Sequence, residues 1–371
     1  MAMTLFSPLA LTPALPLLPL AQGDIDYEIE RREQDGIIEE LLASPHTQVM
    51  LVRNGLVAVP QGSSRQPRIH LATVPAQYVA RAYETLCQDL HVRIPAIFLG
   101  SYGTAADAGR VVALDLTALD LTTRDSAFLD SPDSLDSPDS PVQPLPVDRF
   151  AALRADAQVL VEACSKFEWI DLRTFVPRAS AREIGQATSA ISVANWQDSQ
   201  RYCPACAAPT AIIHAGWAQR CTNPDDGREL FPRVEPAVIT AVVDHGDRLL
   251  LQHNSAWSNP LLYSVSAGFV EAGESLEHAV RRETLEETGI ALGEVKYLGS
   301  QPWPYPGSLM MAFKAVANTT DIQVDGQETV DAQWMTRDEY RNALIMGRME
   351  PPVKAAIARV MIEQWLGHAI D

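Results

Sequence analysis

The chain has 371 residues, of which 47% are apolar and 20% charged, and its formal net charge is −18. This length accommodates two or three domains. The negative charge disfavours general binding to nucleic-acid backbones or anionic membranes. No apolar stretch is long enough for a membrane span, so none is predicted.

The beginning of the chain, residues 1–22, is apolar and rich in leucine and proline. It has no Lys or Arg, and its prolines interrupt any helical core, so we do not predict a secretory signal. Five cysteines, three of them clustered, fit a reducing compartment better than a disulfide framework. These features predict a cytoplasmic protein.

An N-terminal α+β domain is predicted over residues 1–198. Asn54-Gly55 favours a hairpin turn within 48–59. Further strands are predicted at 68–73, 96–100 and 110–116, and helices at 76–89, 150–165 and 180–196. The hexapeptide Leu-Asp-Ser-Pro-Asp-Ser occurs twice in 129–140. Such a composition cannot bury a core, so we predict a disordered insertion at 126–146.

A zinc-ribbon-like segment is predicted over residues 199–233. Cys203, Cys206 and Cys221 have the spacing of three ligands of a tetrahedral zinc site, but the fourth position holds Pro224, which cannot ligate. Two interpretations remain. A substitute ligand, His214, Asp225 or Asp226, completes the site, or the metal has been lost. The second is slightly favoured, because structural zinc sites normally keep four good ligands.

A C-terminal domain is predicted over residues 234–371. Its strands are predicted at 237–243, 248–253, 262–270, 295–300, 309–317 and 331–335. Ser275 and Gly289 suit the two ends of a helix whose predicted buried stripe is Leu276, Ala279, Val280 and Leu285. Two more helices, at 337–346 and 352–366, close the chain. This order predicts a mixed sheet with helices on its faces.

Three glutamates on the central helix, Glu283, Glu286 and Glu287, share one face because residues three and four apart are neighbours. Like charges at this spacing repel unless something positive lies among them. A group of oxygen ligands suits a hard cation such as Mg²⁺ or Mn²⁺. The alternative is a solvated acidic helix face.

The segment from Gly268 to Ile290 resembles the signature of the Nudix hydrolases. It has Glu274 after five residues, Arg282-Glu283 after seven more, and then Leu285, Glu286-Glu287, Gly289 and Ile290. Thr284 stands where an aliphatic residue is usual, which affects packing more than chemistry.

A second segment, Ser300-Gln-Pro-Trp-Pro-Tyr-Pro-Gly-Ser308, resembles the signature of the NADH pyrophosphatases within that superfamily. Trp303 and Tyr305 stand among three prolines, which restrict the backbone and favour a rigid aromatic platform for a flat base. The alternative is a proline-rich edge turn whose aromatics cap a core.

The resemblance implies an α+β chain ending in a Nudix α/β/α sandwich with a mixed sheet, preceded by a degenerate zinc ribbon and an N-terminal α+β domain. It implies hydrolysis of NADH or NAD⁺ to (reduced) nicotinamide mononucleotide and AMP, with Mg²⁺ or Mn²⁺ as cofactor and Zn²⁺ left open. A homodimer is also implied, and the composition predicts no membrane partner.

The resemblance also assigns residues. The implied metal ligands are Glu283, Glu286, Glu287, Glu328 and the carbonyl of Ala267, and the catalytic carboxylates are the three on the helix. The implied substrate contacts are Gln301, Pro302, Trp303, Pro304, Tyr305, Pro306, Gly307, Ser308, Phe231 and Ala358. Arg282 is expected to orient a neighbouring glutamate, and Glu274 to hold the loop or join an outer metal shell.

Three other functions compete with cleavage of free dinucleotide. NAD-capped RNA could be cut at the same bond, although the charge of −18 favours the free dinucleotide. ADP-ribose or another nucleoside diphosphate derivative is a rival substrate, against which Ser300–Ser308 argues. A non-catalytic ligand sensor is disfavoured because every signature glutamate is present.

Overall fold

The computed structural model describes residues 7, 9–16, 18–21, 25–89, 92–103, 109–119 and 155–370. The insertion predicted at 126–146 lies outside these residues. Contacts divide the chain into two units, one of Met1–Gln22 with Arg233–Asp371 and the other of Gly23–Pro232. The predicted domain bounds differ from this grouping in two respects. The first residues join the C-terminal unit, and the zinc-ribbon segment joins the N-terminal one.

The unit of Gly23–Pro232 is built on a six-stranded mixed sheet in the order β4-β5-β1-β2-β6, with β3 paired to β1. The strands are β1 (Thr47–Arg53), β2 (Leu56–Val59), β3 (Thr73–Pro75), β4 (Ala96–Tyr102), β5 (Gly109–Asp115) and β6 (Glu168–Ile170). The helices are α1 (Ile29–Arg32), α2 (Ile37–Ala43), α3 (Ala80–Glu84), α4 (Ala155–Lys166), α5 (Leu172–Phe175) and α6 (Ala181–Ser199). A three-stranded antiparallel sheet, β7 (Thr210–Ile213), β8 (Ala218–Cys221) and β9 (Glu229–Leu230), forms the ribbon.

Local sequence explains most of these elements. Asn54 and Gly55 both have positive φ, 51° and 73°, as the predicted hairpin turn requires. Ser180 and Glu183 form a reciprocal capping box that starts α6. The strand predicted at 68–73 is wrong, because the pairing begins only at Thr73. The backbone N–H groups before it are used elsewhere, that of Leu71 by the Glu183 carboxylate at 2.9 Å.

The unit that ends the chain is an α/β/α sandwich. Its mixed sheet has the order β13-β14-β10-β11-β15, with β12 paired to β10 and with β10 and β14 parallel. The strands are β10 (Glu235–Val243), β11 (Leu249–Asn254), β12 (Ser266–Phe269), β13 (Leu292–Trp303), β14 (Ser308–Ala317) and β15 (Thr329–Met335). The helices are α7 (Leu276–Thr288), α8 (Arg337–Ile345) and α9 (Ile357–Leu366).

The two faces of this sheet carry separate cores because side chains alternate along each strand. Val238 and Val242 of β10 pack with Ala279 and Val280 of α7. Ile239, between them in sequence, packs in the other core, with α8 and α9. The sheet thus fixes α7 against β10. Within the described part of the chain, no helix has the length and apolarity that a membrane crossing requires.

Candidate active site

Helix α7 carries the glutamates and has the ends that the sequence predicts. Ser275 caps it, its hydroxyl accepting from the His278 N–H at 3.2 Å, and Gly289 ends it with φ 71°. One predicted core residue is wrong: Leu285 is 51% exposed. Thr284 is buried in its place, so the buried stripe of α7 runs through Thr284 rather than Leu285.

Glu287 is the most buried of the three helical carboxylates, 3% exposed. The Ser266 hydroxyl on β12 donates to its Oε2 at 2.6 Å, and the Gln252 side chain also hydrogen-bonds it. Burial raises the pKa of Glu287 to about 7, and the charges of Glu283 and Glu328 add to the rise. Without a cation, the site therefore disfavours a full set of ionised glutamates.

Glu283 lies directly against the backbone of β12. A Cβ at Gly268 would be 2.0 Å from the Cδ of Glu283, so only glycine leaves room for this carboxylate. Burial is the largest influence on the Glu283 carboxyl and raises its pKa, while the Arg282 hydrogen bond opposes the rise. The charges of Glu286 and Glu328 raise the same pKa, which shows that these carboxylates form one electrostatic group.

Arg282 supplies the positive charge that the crowded helix face requires. Its Nε and Nη2 donate to the two carboxylate oxygens of Glu274 at 2.9 and 2.7 Å. Its Nη1 donates to Glu283 at 2.9 Å and to Glu286 at 3.0 Å, and its Nη2 also donates to the Phe269 carbonyl at 2.9 Å. All five N–H groups are thus engaged within the protein. The predicted pairing of Arg282 with a neighbouring glutamate is present in the structure, and its orienting role stays a prediction.

Glu274 and Glu328 lie in two loops, Glu274 before α7 and Glu328 before β15. Glu274 accepts from the Glu271 N–H at 3.0 Å and from His278, so it holds the loop before α7. Glu328 lies immediately before β15, where Asp325 accepts its N–H at 3.0 Å. The Glu328 charge acts on both Glu283 and Glu287.

The segment Gln301–Ser308 joins β13 to β14. The rings of Trp303 and Tyr305 lie 5.0 Å apart between centroids, tilted by 58°. Trp303 pairs with Ser308 across the two strands, so the segment is a turn anchored at both ends. Ala358 is buried on α9, whereas Phe231 belongs to the other unit and is 52% exposed.

Three polar side chains, those of Ser266, Gln252 and Gln301, make contacts here that were not predicted. Ser266 and Gln252 hydrogen-bond Glu287, and Gln301 is 0% exposed, with its carboxamide bonded to main-chain groups of Leu20 and Ala355. The available signal was a polar residue within an apolar strand, since such residues are hydrogen-bonded when buried.

The cysteine cluster in the other unit contains a fourth candidate ligand. Cys203, Cys206, Cys221 and Asp226 present ligand atoms that all lie within 4.8 Å of one another. The Cys203 thiol donates to Asp226 Oδ2 at 3.0 Å, and the sulfurs of Cys206 and Cys221 are 3.4 Å apart. Asp226 thus lies at the fourth ligand position, which Pro224 cannot supply. This geometry favours the substituted site over the lost site, which the sequence had slightly favoured.

The other two candidates for this position lie outside the cluster. His214 Nε2 faces Glu229 at 3.4 Å, and Asp225 donates its N–H to the Asn223 side chain at 3.0 Å. Arg228 Nε donates to Asp226 at 2.6 Å and holds that carboxylate in place. The Cys203 and Arg228 hydrogen bonds lower the pKa of Asp226, so it is ionised and able to ligate.

Family profiles match both parts of the chain that carry these sites. The NUDIX domain matches residues 233–356, and the NADH pyrophosphatase zinc ribbon domain matches residues 198–231. The chain is a Nudix hydrolase, as the α/β/α sandwich and the glutamate helix indicate.

Similar proteins place it more narrowly. The NAD-capped RNA hydrolase NudC of Mycobacterium bovis is 40% identical over 223 residues, which are 58% of this chain and 70% of that protein. Nudix hydrolase 19, chloroplastic, of Arabidopsis thaliana is 39% identical over 207 residues, 53% of this chain and 47% of that protein. NAD-capped RNA hydrolase NUDT12 of Macaca fascicularis is 38% identical over 195 residues, 50% of this chain and 42% of that protein. The chain belongs to the NADH pyrophosphatase (NudC-like) family.

Proposed function

We propose that this enzyme hydrolyses the pyrophosphate bond of NADH or NAD⁺ and releases AMP with (reduced) nicotinamide mononucleotide. The observation that carries the proposal is the electrostatic group of Glu283, Glu286, Glu287 and Glu328, ordered by Arg282. Its unit also carries the anchored aromatic turn at Gln301–Ser308.

The donor set fits a hard divalent cation. Glu283, Glu287, Glu328 and the Ala267 carbonyl would hold Mg²⁺ or Mn²⁺, with Glu286 as a further ligand or as the catalytic carboxylate. All are oxygen donors. Burial is the largest cause of the raised pKa values of Glu283 and Glu287, and neighbouring carboxylates add to them, so a bound cation would stabilise the ionised forms. The bound cation supplies neutralisation of the pyrophosphate and a more acidic attacking water.

The protein's own residues prepare the reaction in two ways. Ser266 and Arg282 fix the carboxylates of Glu287 and Glu283, so that little reorganisation is needed when substrate arrives. Glu286, whose side chain is 60% exposed, would act either as a further metal ligand or as the carboxylate that takes a proton from water.

We assign substrate selection to the aromatic turn at Gln301–Ser308. Trp303 and Tyr305 offer ring faces for a base, and the prolines limit the entropy lost on binding. The other proposed contacts are those that the resemblance implies, at Pro302, Pro304, Pro306, Gly307, Ser308, Phe231 and Ala358.

NAD-capped RNA is the second candidate substrate, because similar proteins from Mycobacterium bovis and Macaca fascicularis are named as hydrolases of it. The same bond would be cut. The charge of −18 favours the free dinucleotide, since RNA binding requires local positive charge.

The test is to incubate the purified protein with NADH, NAD⁺, ADP-ribose and NAD-capped RNA, with and without Mn²⁺, and to identify the products. We expect AMP and the mononucleotide from the dinucleotides only with the cation. Cleavage of ADP-ribose alone would refute the substrate assignment, and faster cleavage of capped RNA would favour the second candidate.

We further propose that Cys203, Cys206, Cys221 and Asp226 hold one structural Zn²⁺. Three thiolates and a carboxylate are suitable zinc ligands, and all four converge. The homodimer and the cytoplasmic location stay predictions.

A further inference from the structure

The leucine- and proline-rich segment at the beginning of the chain packs on the catalytic unit. We call its described residues between Leu9 and Ala21 the N-terminal strap. Leu15 and Leu18 of the strap belong to the same core as Leu298 of β13 and Ala358 of α9. The apolar composition of the strap is therefore used to cover this core.

Polar contacts fix the strap along the edge strand β13. The Leu15 N–H donates to the Leu298 carbonyl at 2.9 Å. The Lys296 ammonium donates to the carbonyls of Leu9 and Ala10, both at 2.9 Å. Leu18 also lies 3.5 Å from the point that a Cβ of Gly299 would occupy, so the strap is in van der Waals contact with the strand.

The strap ends at the base of the aromatic turn. The Leu20 N–H donates to Gln301 Oε1 at 3.2 Å, and Gln301 Nε2 donates to the Ala355 carbonyl at 3.0 Å. Gln301 is 0% exposed, so its side chain presents no surface to a ligand. One buried carboxamide thereby joins the strap, the start of the turn and the segment that leads into α9.

We propose that Gln301 is a positioning residue rather than a substrate contact, and that the strap sets the position of the turn Gln301–Ser308 through it. This inference rests on the proposed function. β13 is at the edge of its sheet, so the turn at its end is supported by β14 on one side and by the strap on the other. Because a buried carboxamide whose oxygen and nitrogen are both hydrogen-bonded to main chain favours one arrangement, loss of the bridge frees the turn to move.

The experiment compares Leu18→Ala, Lys296→Met and Gln301→Leu with the wild type in steady-state NADH cleavage with Mn²⁺. Neither Leu18 nor Lys296 is proposed to touch substrate. We expect all three to raise KM by about tenfold while kcat stays within about twofold, since a displaced anchor weakens binding more than chemistry.

The control is Leu250→Ala, a core change in β11 of the same unit whose side chain packs in the other core, which contains no strap residue. It removes stability without touching the strap, so we expect less active enzyme but an unchanged KM. A high KM in Gln301→Leu with wild-type KM in both strap variants would overturn the proposal and make Gln301 a substrate contact. A wild-type protein that cleaves no dinucleotide would instead refute the proposed function, independently of the strap.

Discussion

The glutamate site on α7 and the cysteine cluster of the ribbon both gather acidic ligands, but they are balanced differently. The glutamates surround Arg282, which forms hydrogen bonds to Glu274, Glu283 and Glu286. In the cysteine cluster, the Arg228 side chain donates to Asp226, and the Cys206 and Cys221 sulfurs approach one another directly. Among the residues described by the structure, only the cysteine cluster is compact enough for every ligand pair to lie within 4.8 Å.

This difference fits the two proposed functions, a catalytic site that exchanges its cation and substrate and a structural site that encloses its metal. A catalytic site must keep a position open, whereas a structural zinc site uses all its ligands from the protein. The exposed Glu286 and the buried Glu287 illustrate the first case. The buried Cys203 and Cys221 with the substituted Asp226 illustrate the second.

The largest expected effect is that of Glu287→Gln on turnover. It keeps the volume of a side chain that is 3% exposed but removes a proposed metal ligand. We expect kcat for NADH to fall by roughly a hundredfold or more, because even residues that only support a metal ligand are worth about 10- to 100-fold. Glu277→Gln, on the exposed first turn of the same helix, is the matched control. Near-wild-type turnover in Glu287→Gln would place the metal site elsewhere.

The same residue predicts a pH dependence of stability in chelator. Burial raises the pKa of Glu287 from 4.5 to about 7. The contribution of neutral Glu287 to the stability of the folded state is therefore fully present below pH 4.5. It is lost as the pH rises through 7, because the buried carboxyl then ionises. The free energy of unfolding of wild type should fall relative to that of Glu287→Gln by about 3 kcal/mol over this range. Urea denaturation at several pH values measures it, and a constant difference would contradict the burial of an ionisable group.

Asp226→Ala tests the fourth ligand position of the ribbon site. We expect one zinc per wild-type chain by elemental analysis, and zinc affinity at least about tenfold lower in the variant. Asp226→Cys should restore or tighten binding, because thiolate is a good zinc ligand. Asp225→Ala, its exposed neighbour outside the cluster, should keep the metal. Absence of zinc from the wild type would support loss of the site.

These two sites also show what the sequence could predict. The fixed spacing of Gly268, Glu274 and Arg282-Glu283 determines both the family and the helix on which the glutamates lie. No spacing rule identifies Asp226, because its place depends on how the chain passes Pro224 before forming β9. Only the three-dimensional contacts distinguish it from Asp225 and His214.

The N-terminal strap was missed for a related reason. Composition showed that residues 1–22 are apolar, but it could not show which surface they cover. The long-range hydrogen bond from Leu20 to Gln301 has no local signal. Leu285 was wrongly predicted to be buried, because it is adjacent in sequence to Thr284 and the boundary between the buried and exposed faces of α7 runs between the two residues. Thr284 is small enough to fill the buried position.

Gly268→Ala should separate function from folding at the glutamate site. The new Cβ would be 2.0 Å from Glu283 Cδ, and the flexible carboxylate rather than the backbone would move. We expect about tenfold lower activity at subsaturating Mn²⁺, because a displaced ligand weakens the metal site, with little change in the urea midpoint. Gly109→Ala, where nothing lies within 4 Å of the added Cβ, is the control. A large loss of stability would instead show that the strand cannot accept any side chain.

The smallest effect expected is a gain of stability in Thr284→Val. Thr284 is 0% exposed, and its hydroxyl finds no hydrogen-bond partner among the described residues. Valine has nearly the same shape and removes the cost of an unsatisfied buried hydroxyl, so unfolding should require about 1 kcal/mol more. The matched control is Thr288→Val one turn later, where the hydroxyl donates to the Thr284 carbonyl at 2.6 Å, and there we expect a loss of similar size. Opposite signs in urea denaturation would show that the threonine at the aliphatic position of the signature costs stability without affecting the glutamates beside it. A loss in both variants would mean that the Thr284 hydroxyl is satisfied after all.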